Sequence, residues 1–304
     1  MVRRILLVNT DAIVVTYNRI NKLKECLSNL LSMNLKHIFI VNNASTDGTL
    51  DYLMQIEAKN EKVIVKNLRK NIGGAGGFNT GLKMFLENSN SNYVWLMDDD
   101  TVPNMNALTK LEVGLSAVPE KNRGFAVGQT YWTDGSLAVM NKPLISSKKA
   151  DKKSVRYVDE ASFVAILIYR NAVLTVGLPI RDFFIWGDDV EYTRRLISNG
   201  YLGVQVLDAK IIHKMAANNS TNIVHENNNV GRISRYYYDF RNRVYLSREL
   251  GYRRLLKTLV GRIVWFFRII FYPGKYKLLK LKVLVKGTMD GIKFSPKIEY
   301  FKGE

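Results

Sequence analysis

The sequence predicts an α/β protein in which a parallel sheet carries helices on both faces. Short β-branched, apolar runs alternate with longer segments whose apolar residues recur at helical spacing through the first hundred residues. Polar clusters follow the ends of these runs. The chain has 304 residues, 47% of them hydrophobic, which is enough for one large domain and a smaller appendage.

The first hundred residues contain four predicted strands and three predicted helices. The strands are residues 13–16, 37–41, 63–65 and 93–97. The helices are residues 20–31, 49–58 and 78–86, and a glycine-rich loop precedes the third helix. Because ligands bind beyond the carboxyl ends of parallel strands, we expect the polar clusters to gather at one edge of the sheet.

The middle of the chain is mixed. Residues 125–133, 163–169 and 201–206 are predicted strands, and residues 188–198 are a predicted helix. A polar loop is expected around residues 146–149. An asparagine-rich loop is expected at residues 216–229.

The charge divides the chain into two parts. The net charge is +18, and residues 241–304 hold 16 lysines and arginines against four acidic residues, which is two thirds of the surplus. Such a surplus indicates a polyanionic partner: nucleic acid, an anionic membrane or a phosphorylated substrate. We therefore predict a domain of residues 1–240 and a basic, helical appendage of residues 241–304.

The appendage mixes basic with large apolar residues. Residues 259–272 are strongly apolar but contain Arg262 and Arg268, and they are too few to span a bilayer. Pro273 and Gly274 interrupt the pattern before a second basic and apolar stretch. A helix with aromatic residues on one face and cations on the other lies in a membrane interface, so we expect membrane association. The alternative is a helix pair packed on the rest of the chain or on a second subunit.

The N-terminus and the cysteine content indicate a cytoplasmic protein. The apolar run in residues 1–9 ends too early for a signal peptide and is expected to be a short strand or extension. Cys26 is the single cysteine, which excludes an internal disulfide.

Three consecutive aspartates follow the predicted strand at residues 93–97. Because side chains alternate along a strand, Asp98 and Asp100 can face the same way, with Asp99 between them. A divalent cation would relieve the repulsion between their carboxylates, and oxygen ligands suit Mg²⁺ or Mn²⁺. The alternative is a solvated acidic turn.

A second acidic pair, Asp188 and Asp189, begins the predicted helix at residues 188–198. Such a pair can cap the helix, or it can hold the general base that takes a proton from a hydroxyl group. His213 follows a strand downstream of this pair. A lone histidine is more often structural than a ligand, but its position here adds weight to a role in the site.

Other polar clusters lie at residues 16–19, 42–49 and 71–79. The last holds four glycines in five residues, which let backbone approach a ligand and leave amides free for phosphate or sugar oxygens. Each cluster also reads as an ordinary turn or helix cap.

Taken together, these motifs resemble family 2 glycosyltransferases, which have the GT-A fold, a Rossmann-like nucleotide-sugar-binding fold. The motifs occur in the family's order and cover roughly residues 10–250; they are residues 14–19, 42–49, 71–79, 98–100 and 186–192. Within the family, the triple aspartate, His213 and the segments at residues 71–81 and 236–243 are most similar to bacterial galactofuranosyltransferases. Related rhamnosyltransferases share much of the pattern.

The resemblance implies a role for each matching residue. Residues on the nucleotide-sugar side would be Thr16, Tyr17, Arg19, Asn43, Asn71, Gly73, Gly74, Gly76, Asp98 and Asp99, with Asn43 near the uracil. Asp98 and Asp100 would form the DXD motif that binds ribose and Mn²⁺ or Mg²⁺, and His213 would complete the metal shell. Asp189 would be the catalytic base, and Asp188 or Trp186 would hold the acceptor. Arg241 and Arg243 would contact the diphosphate or acceptor region.

The implied activity is inverting transfer of galactofuranose from UDP-galactofuranose to a lipid-linked or oligosaccharide acceptor in bacterial surface polysaccharide synthesis. A rhamnosyltransferase that uses dTDP-rhamnose is the alternative. We expect a protein peripheral on the inner face of the cell membrane, and the C-terminal helices also allow a homo-oligomer.

Two functions of other classes stay open. A nucleic-acid-binding protein would explain the charge, but the basic excess is interleaved with large apolar residues, so we expect no nucleic-acid partner. A non-catalytic sugar-binding scaffold would not need every acidic residue together with His213.

Overall fold

The computed structural model describes residues 9–148, 154–218 and 222–301. The extension predicted for residues 1–9 lies outside this part apart from Asn9. Lys149 and residues 219–221 of the two predicted loops lie outside it as well.

The described chain alternates strands and helices, and ends in three long helices. In order, its elements are β1 (Thr10–Thr16), α1 (Ile20–Leu31), β2 (Ile38–Asn42), α2 (Thr49–Lys59), β3 (Val63–Asn67), α3 (Gly73–Asn88), β4 (Tyr93–Asp98), β5 (Thr101–Pro103), α4 (Ala107–Ser116), β6 (Arg123–Tyr131), β7 (Leu144–Ile145), β8 (Val155–Glu160), β9 (Ile166–Tyr169), α5 (Arg170–Val176), α6 (Asp188–Ser198), β10 (Leu202–His213), α7 (Val230–Glu249), α8 (Tyr252–Phe271) and α9 (Lys277–Lys293).

The ten strands of the described residues form one mixed sheet in the order β3-β2-β1-β4-β9-β6-β10-β8-β7, with β5 paired to β10. The predicted α/β architecture is confirmed, and β1 to β4 are parallel as predicted. The second half is not all parallel, because β9 runs antiparallel to β4 and β6, and β8 runs antiparallel to β10. Apolar patterning reports which strands are buried and not their direction, so the sequence did not predict this reversal.

The predicted glycine-rich loop is instead the first turns of α3, which begins at Gly73. Glycine disfavours helices, so the propensity pointed to a loop. Tertiary packing decides otherwise: a Cβ on Gly77 would lie 2.4 Å from Val15, and one on Gly81 would lie 2.4 Å from Ile13. The glycines therefore let α3 pack closely on β1, which carries the first polar cluster at its end.

The C-terminal helices are joined to the rest of the chain. Helix α7 runs without a break through residues 240 and 241, where we predicted a boundary. After α9 the chain returns, and the Leu178 amide donates to the Glu299 carbonyl oxygen at 2.8 Å. Across the described residues, none of the helices combines the length and the apolar character that crossing a bilayer requires.

Candidate active site

The three aspartates lie where β4 ends and the chain turns into β5. Strand β5 pairs with the end of β10, and this register places Thr101 opposite His213. The imidazole Nε2 of His213 therefore lies 3.0 Å from Asp100 Oδ1. One ligand atom each from Asp98, Asp100 and His213 lies within 4.8 Å of the others. The fold thus brings together the three predicted metal ligands, although 113 residues separate Asp100 from His213.

This cluster, called the acid–imidazole cluster below, has the donor set of a divalent-cation site. Two carboxylates and one imidazole suit Mn²⁺, and the carboxylates suit Mg²⁺. His213 Nδ1 lies 2.8 Å from the Asn141 amide oxygen Oδ1. Because an amide oxygen only accepts, Asn141 favours a proton on Nδ1, so Nε2 would be free to ligate a metal ion in place of its contact with Asp100. The residues present therefore fit a metal ion.

Burial and mutual repulsion set the protonation of the aspartates. Burial, together with the Asp100 charge, raises the pKa of Asp98 to about 7. Burial also raises the pKa of Asp99 to about 6. Burial acts against ionisation of Asp100 too, but the hydrogen bond and charge of His213, with Arg19 and Lys22, lower its pKa to about 2. A cation between Asp98 and Asp100 would stabilise both carboxylates.

The end of β1 contributes cations and a hydroxyl group to the same edge. Arg19 Nη1 lies 2.8 Å from Asp100 Oδ2 and 3.3 Å from Asp99 Oδ1, and its side chain is half exposed. Thr16 Oγ1 is buried and donates to Asp99 Oδ2 at 2.8 Å. Thr16 thus orients Asp99, whereas the side chains of Tyr17 and Arg19 are partly exposed at this edge.

Asn43 and Asn71 shape the start of α3. The Asn43 amide donates to the Gly73 carbonyl oxygen at 2.9 Å and accepts from the Ile72 amide at 2.8 Å. Asn71 Oδ1 accepts from the Gly73 amide at 2.8 Å. The Asn43 side chain is buried and its amide is hydrogen-bonded within the protein, and its contact with uracil stays a prediction.

The glycines of α3 differ in what surrounds them. Gly73 has a φ of +76°, and a Cβ there would lie 2.0 Å from the Phe184 carbonyl oxygen. A Cβ on Gly76 would meet the Ile72 side chain at 2.7 Å, whereas one on Gly74 would meet nothing within 4 Å. Of the three predicted donor-side glycines, Gly74 alone has free space beside it.

We expect Gly73→Ala to lower the free energy of unfolding by more than about 2 kcal/mol, because it combines a left-handed φ with a backbone clash. The neighbouring change Gly74→Ala is the matched control and should alter stability by less than about 1 kcal/mol. Urea unfolding of both variants checks this. Equal losses would contradict the close approach of Gly73 to Phe184.

The second acidic pair starts α6, directly after Gly187, which has a φ of 91°. Asp188 is buried, and burial with the charges of Asp189 and Asp98 raises its pKa well above the usual range. The charge of Asp98 contributes to this shift, so the acid pair lies near enough to the acid–imidazole cluster to feel its charge. Burial also raises the pKa of Asp189 to about 6, and its side chain keeps some exposure.

Glu191, on the first turn of α6, does not belong to the site. It forms a bidentate pair with Arg195, with both distances 2.8 Å. Arg195 also donates to the Leu178 carbonyl oxygen.

The segment before the acid pair is held in an unusual conformation. Phe184 and Trp186 have positive φ angles of 64° and 65°. The Asn242 amide nitrogen lies 2.8 to 3.1 Å from the carbonyl oxygens of Phe183, Ile185 and Trp186. Helix α7 therefore fixes the backbone that leads to Asp188 and Asp189.

Arg241 acts on the same segment, and its contact with a diphosphate stays a prediction. Its guanidinium donates to the carbonyl oxygens of Asp182 and Phe183 and lies 3.9 Å from the Phe294 ring centroid. Arg243 does not contact this segment. Its Nε pairs with Asp239 Oδ1 at 2.6 Å, its side chain is more than half exposed, and its positive charge acts to lower the pKa of Asp189. Of the two predicted arginines, Arg243 is the one beside the acid pair.

We expect Asn242→Ala to lower the free energy of unfolding by about 1–3 kcal/mol, because buried carbonyl groups lose their donor. Transfer activity should fall as well, since the segment before Asp188 is released. Asn228→Ala removes an exposed amide nearby in sequence and is the control. Thermal unfolding and initial rates measured on both variants check this, and unchanged values for Asn242→Ala would contradict the clamp.

Sequence reasoning missed Asn141, Asn242 and Tyr238. Asn141 orients His213 from a loop with no motif, and Tyr238 stacks on Phe184 with ring centroids 4.5 Å apart. The segment at residues 236–243 belongs to the motif, but its sequence indicates roles only for the two arginines and not for the buried amide of Asn242. A polar residue between apolar positions of a helix was the available signal.

Comparison with known proteins gives consistent matches. A family profile described as "Glycosyl transferase family 2" matches residues 11–171. The galactofuranosyltransferase GlfT1 of Mycobacterium tuberculosis is 27% identical over 280 residues, which cover 85% of this chain and 88% of that protein.

Two solved structures are similar in fold. The mannosyltransferase PcManGT of Pyrobaculum calidifontis, in complex with GDP-Man and Mn²⁺, has a TM-score of 0.55 and 14% identity, over 94% of this chain and 76% of that one. GalNAc-T7 with UDP, GalNAc and Mn²⁺ has a TM-score of 0.58 and 11% identity, over 78% of this chain and half of that one.

Proposed function

The chain belongs to glycosyl transferase family 2 and has the GT-A fold, and from this premise we propose a specific reaction. It transfers galactofuranose from UDP-galactofuranose to a hydroxyl group of a lipid-linked or oligosaccharide acceptor in bacterial surface polysaccharide synthesis. Transfer is metal-dependent and inverts the anomeric configuration. The donor sugar is proposed from the similarity to GlfT1 over most of both chains.

The observation that carries the proposal is the meeting of two acidic groups with different roles at one sheet edge. The acid–imidazole cluster lies at the end of β4, and Asp189 lies at the start of α6 beside Asp188, whose pKa the charge of Asp98 helps to raise. A metal ion bound by Asp98, Asp100 and His213 would neutralise the charge that develops on the departing diphosphate. The half-exposed Arg19 lies beside the cluster and adds a cation for the same phosphates.

The position of Asp189 supports its role as the general base. Its carboxylate is held at the start of α6, where the segment at residues 182–186 is fixed by Arg241 and Asn242. It accepts the proton of the acceptor hydroxyl group, whose oxygen forms the bond to the anomeric carbon while the bond to the diphosphate breaks. A single displacement of this kind inverts the configuration and needs no covalent sugar–enzyme intermediate.

The pH profile should report the ionisation of Asp189. Its pKa is raised to about 6 by burial and by Glu160, while the Val190 amide and Arg243 favour the carboxylate, and Asp188 lies beside it. The base works as the carboxylate, so kcat should be constant above this pKa and fall about tenfold per pH unit below it. A profile from initial rates at saturating substrate checks this, and a kcat that rises as the pH falls would contradict the role.

The product tests the proposed reaction. Purified chain, Mn²⁺ and UDP-galactofuranose are incubated with an extract of lipid-linked glycans, and the new linkage is examined by NMR. We expect a galactofuranosyl product whose anomeric configuration is opposite to that of the donor. Retention of configuration, or a galactofuranosylated carboxylate trapped on the protein, would overturn the inverting mechanism.

A further inference from the structure

Helix α8 has two apolar faces, and one of them has no partner within the described part of the chain. The inner face carries Trp265, Phe266 and Ile269, which pack with Phe240 and Ile233 of α7. The predicted separation of aromatics from cations is therefore wrong, since these aromatics face inward while Phe267 and Phe271 are exposed. The outer side of the helix therefore carries exposed apolar residues as well as exposed basic ones.

The outer face is a continuous stripe of large apolar side chains. All are between 48% and 77% exposed, and their spacing of three and four residues places them on one side of the helix; they are Tyr252, Leu256, Val260, Ile263, Val264, Phe267 and Phe271. We call this set the α8 stripe. An apolar surface of this length on a protein marks an interaction site.

Cations border the stripe, and acidic residues are missing from the helix. Arg253, Arg254, Lys257 and Arg268 are exposed on α8, whose sequence contains no aspartate or glutamate. Helix α9 also exposes apolar residues, namely Leu278, Val285, Met289 and Ile292, beside exposed Lys282, Lys286 and Lys293, but it carries one acidic residue, Asp290, which pairs with Lys286.

We propose that the α8 stripe docks this protein on an anionic lipid membrane. The apolar side chains enter the interface between headgroups and acyl chains, and the bordering arginines and lysine pair with lipid phosphates. The charge selects this occupant: a second copy would bring the same cations against each other, because residues 241–304 hold 16 basic and four acidic residues. A lipid surface offers negative charge and an apolar phase together.

The docking proposal does not depend on the proposed function, but the two together relate the membrane surface to the acid pair. Arg262 of α8 lies 4.7 Å from the ring centroid of Phe240 on α7. The next residues of α7, Arg241 and Asn242, hold the segment that leads to the acid pair. If the acceptor is lipid-linked, which rests on the proposed function, the same helix joins the membrane surface to the catalytic base.

Vesicle flotation of the full chain, without donor or metal, tests the docking. We expect binding to vesicles of equal parts phosphatidylglycerol and phosphatidylcholine, and little binding to phosphatidylcholine alone. The double variant Ile263→Glu/Phe267→Glu should bind about tenfold or more weakly, because two exposed apolar anchors become charged. The control Met54→Glu/Val113→Glu changes two equally exposed residues on α2 and α4 and should bind like the wild type.

A second variant separates charge from apolar contact. Arg254→Glu/Lys257→Glu should also lose binding to anionic vesicles, and added salt should weaken wild-type binding. Absence of wild-type binding, or equal binding by the Ile263→Glu/Phe267→Glu variant, would overturn the proposal. So would a wild-type dimer in light scattering that this variant dissociates without any vesicle binding, since the stripe would then join two copies.

Discussion

The Asp189→Asn variant is expected to transfer sugar on the order of 10²–10⁴ times more slowly than the wild type. Asparagine has nearly the same shape as aspartate and keeps the Val190 amide as a neighbour, but it cannot accept the proton of the acceptor hydroxyl group. Because the loss is in the chemical step, kcat should fall while the affinity for the donor is unchanged. We assign the base to Asp189 and not to Asp188 because Asp189 is partly exposed, whereas Asp188 is buried.

Initial rates at saturating donor and acceptor measure this effect. Asp51→Asn removes an exposed carboxylate on α2 and is the control, which should keep the wild-type rate. Calorimetric titration with UDP checks that the donor site is intact in Asp189→Asn. A variant with a near wild-type kcat would show that another group takes the proton.

The Asp100→Ala variant should lose transfer and metal binding together. Asp100 accepts from Arg19 and lies within 3.0 Å of His213, and it supplies one of the two carboxylates of the cluster. Removing one hard oxygen ligand from a site of three residues should reduce metal-dependent activity by about 10²-fold or more. EDTA should abolish wild-type activity, and Mn²⁺ should restore it.

A readout other than activity guards against misfolding of this variant. Mn²⁺ with UDP should raise the melting temperature of the wild type and of the control Asp208→Ala, which alters an exposed carboxylate on β10. The same addition should leave Asp100→Ala unchanged. An equal Mn²⁺-induced rise in Asp100→Ala would contradict the assignment of the metal ligands.

The sequence predicted most of the first half of the fold, because burial of parallel strands leaves a clear apolar pattern. The predicted helix at residues 20–31 has the bounds of α1, and residues 188–198 have those of α6. The start of α3 was wrong because the glycines serve helix–sheet packing against Val15 and Ile13, a contact between distant residues that local propensity does not report.

The acidic groups could be predicted from the sequence, but the residues that hold the site in place could not. Asp98 and Asp100 follow a buried strand, so their common direction was predictable from strand alternation. Asn141 reaches His213 across 72 residues of chain, and Asn242 reaches Trp186 across 56. Such contacts depend on how β10 and α7 pack, which no short motif encodes.

Release of nucleoside diphosphate from a panel of nucleotide sugars tests the central claim most directly. The purified chain is incubated with lipid-linked glycans and Mn²⁺, and each donor is compared with and without EDTA. We predict metal-dependent UDP release from UDP-galactofuranose that requires the acceptor and is lost in Asp100→Ala and Asp189→Asn. Release from dTDP-rhamnose alone would show that the donor is dTDP-rhamnose and would leave the proposed chemistry unchanged. No release from any donor, with no binding of UDP in calorimetry, would contradict the catalytic account.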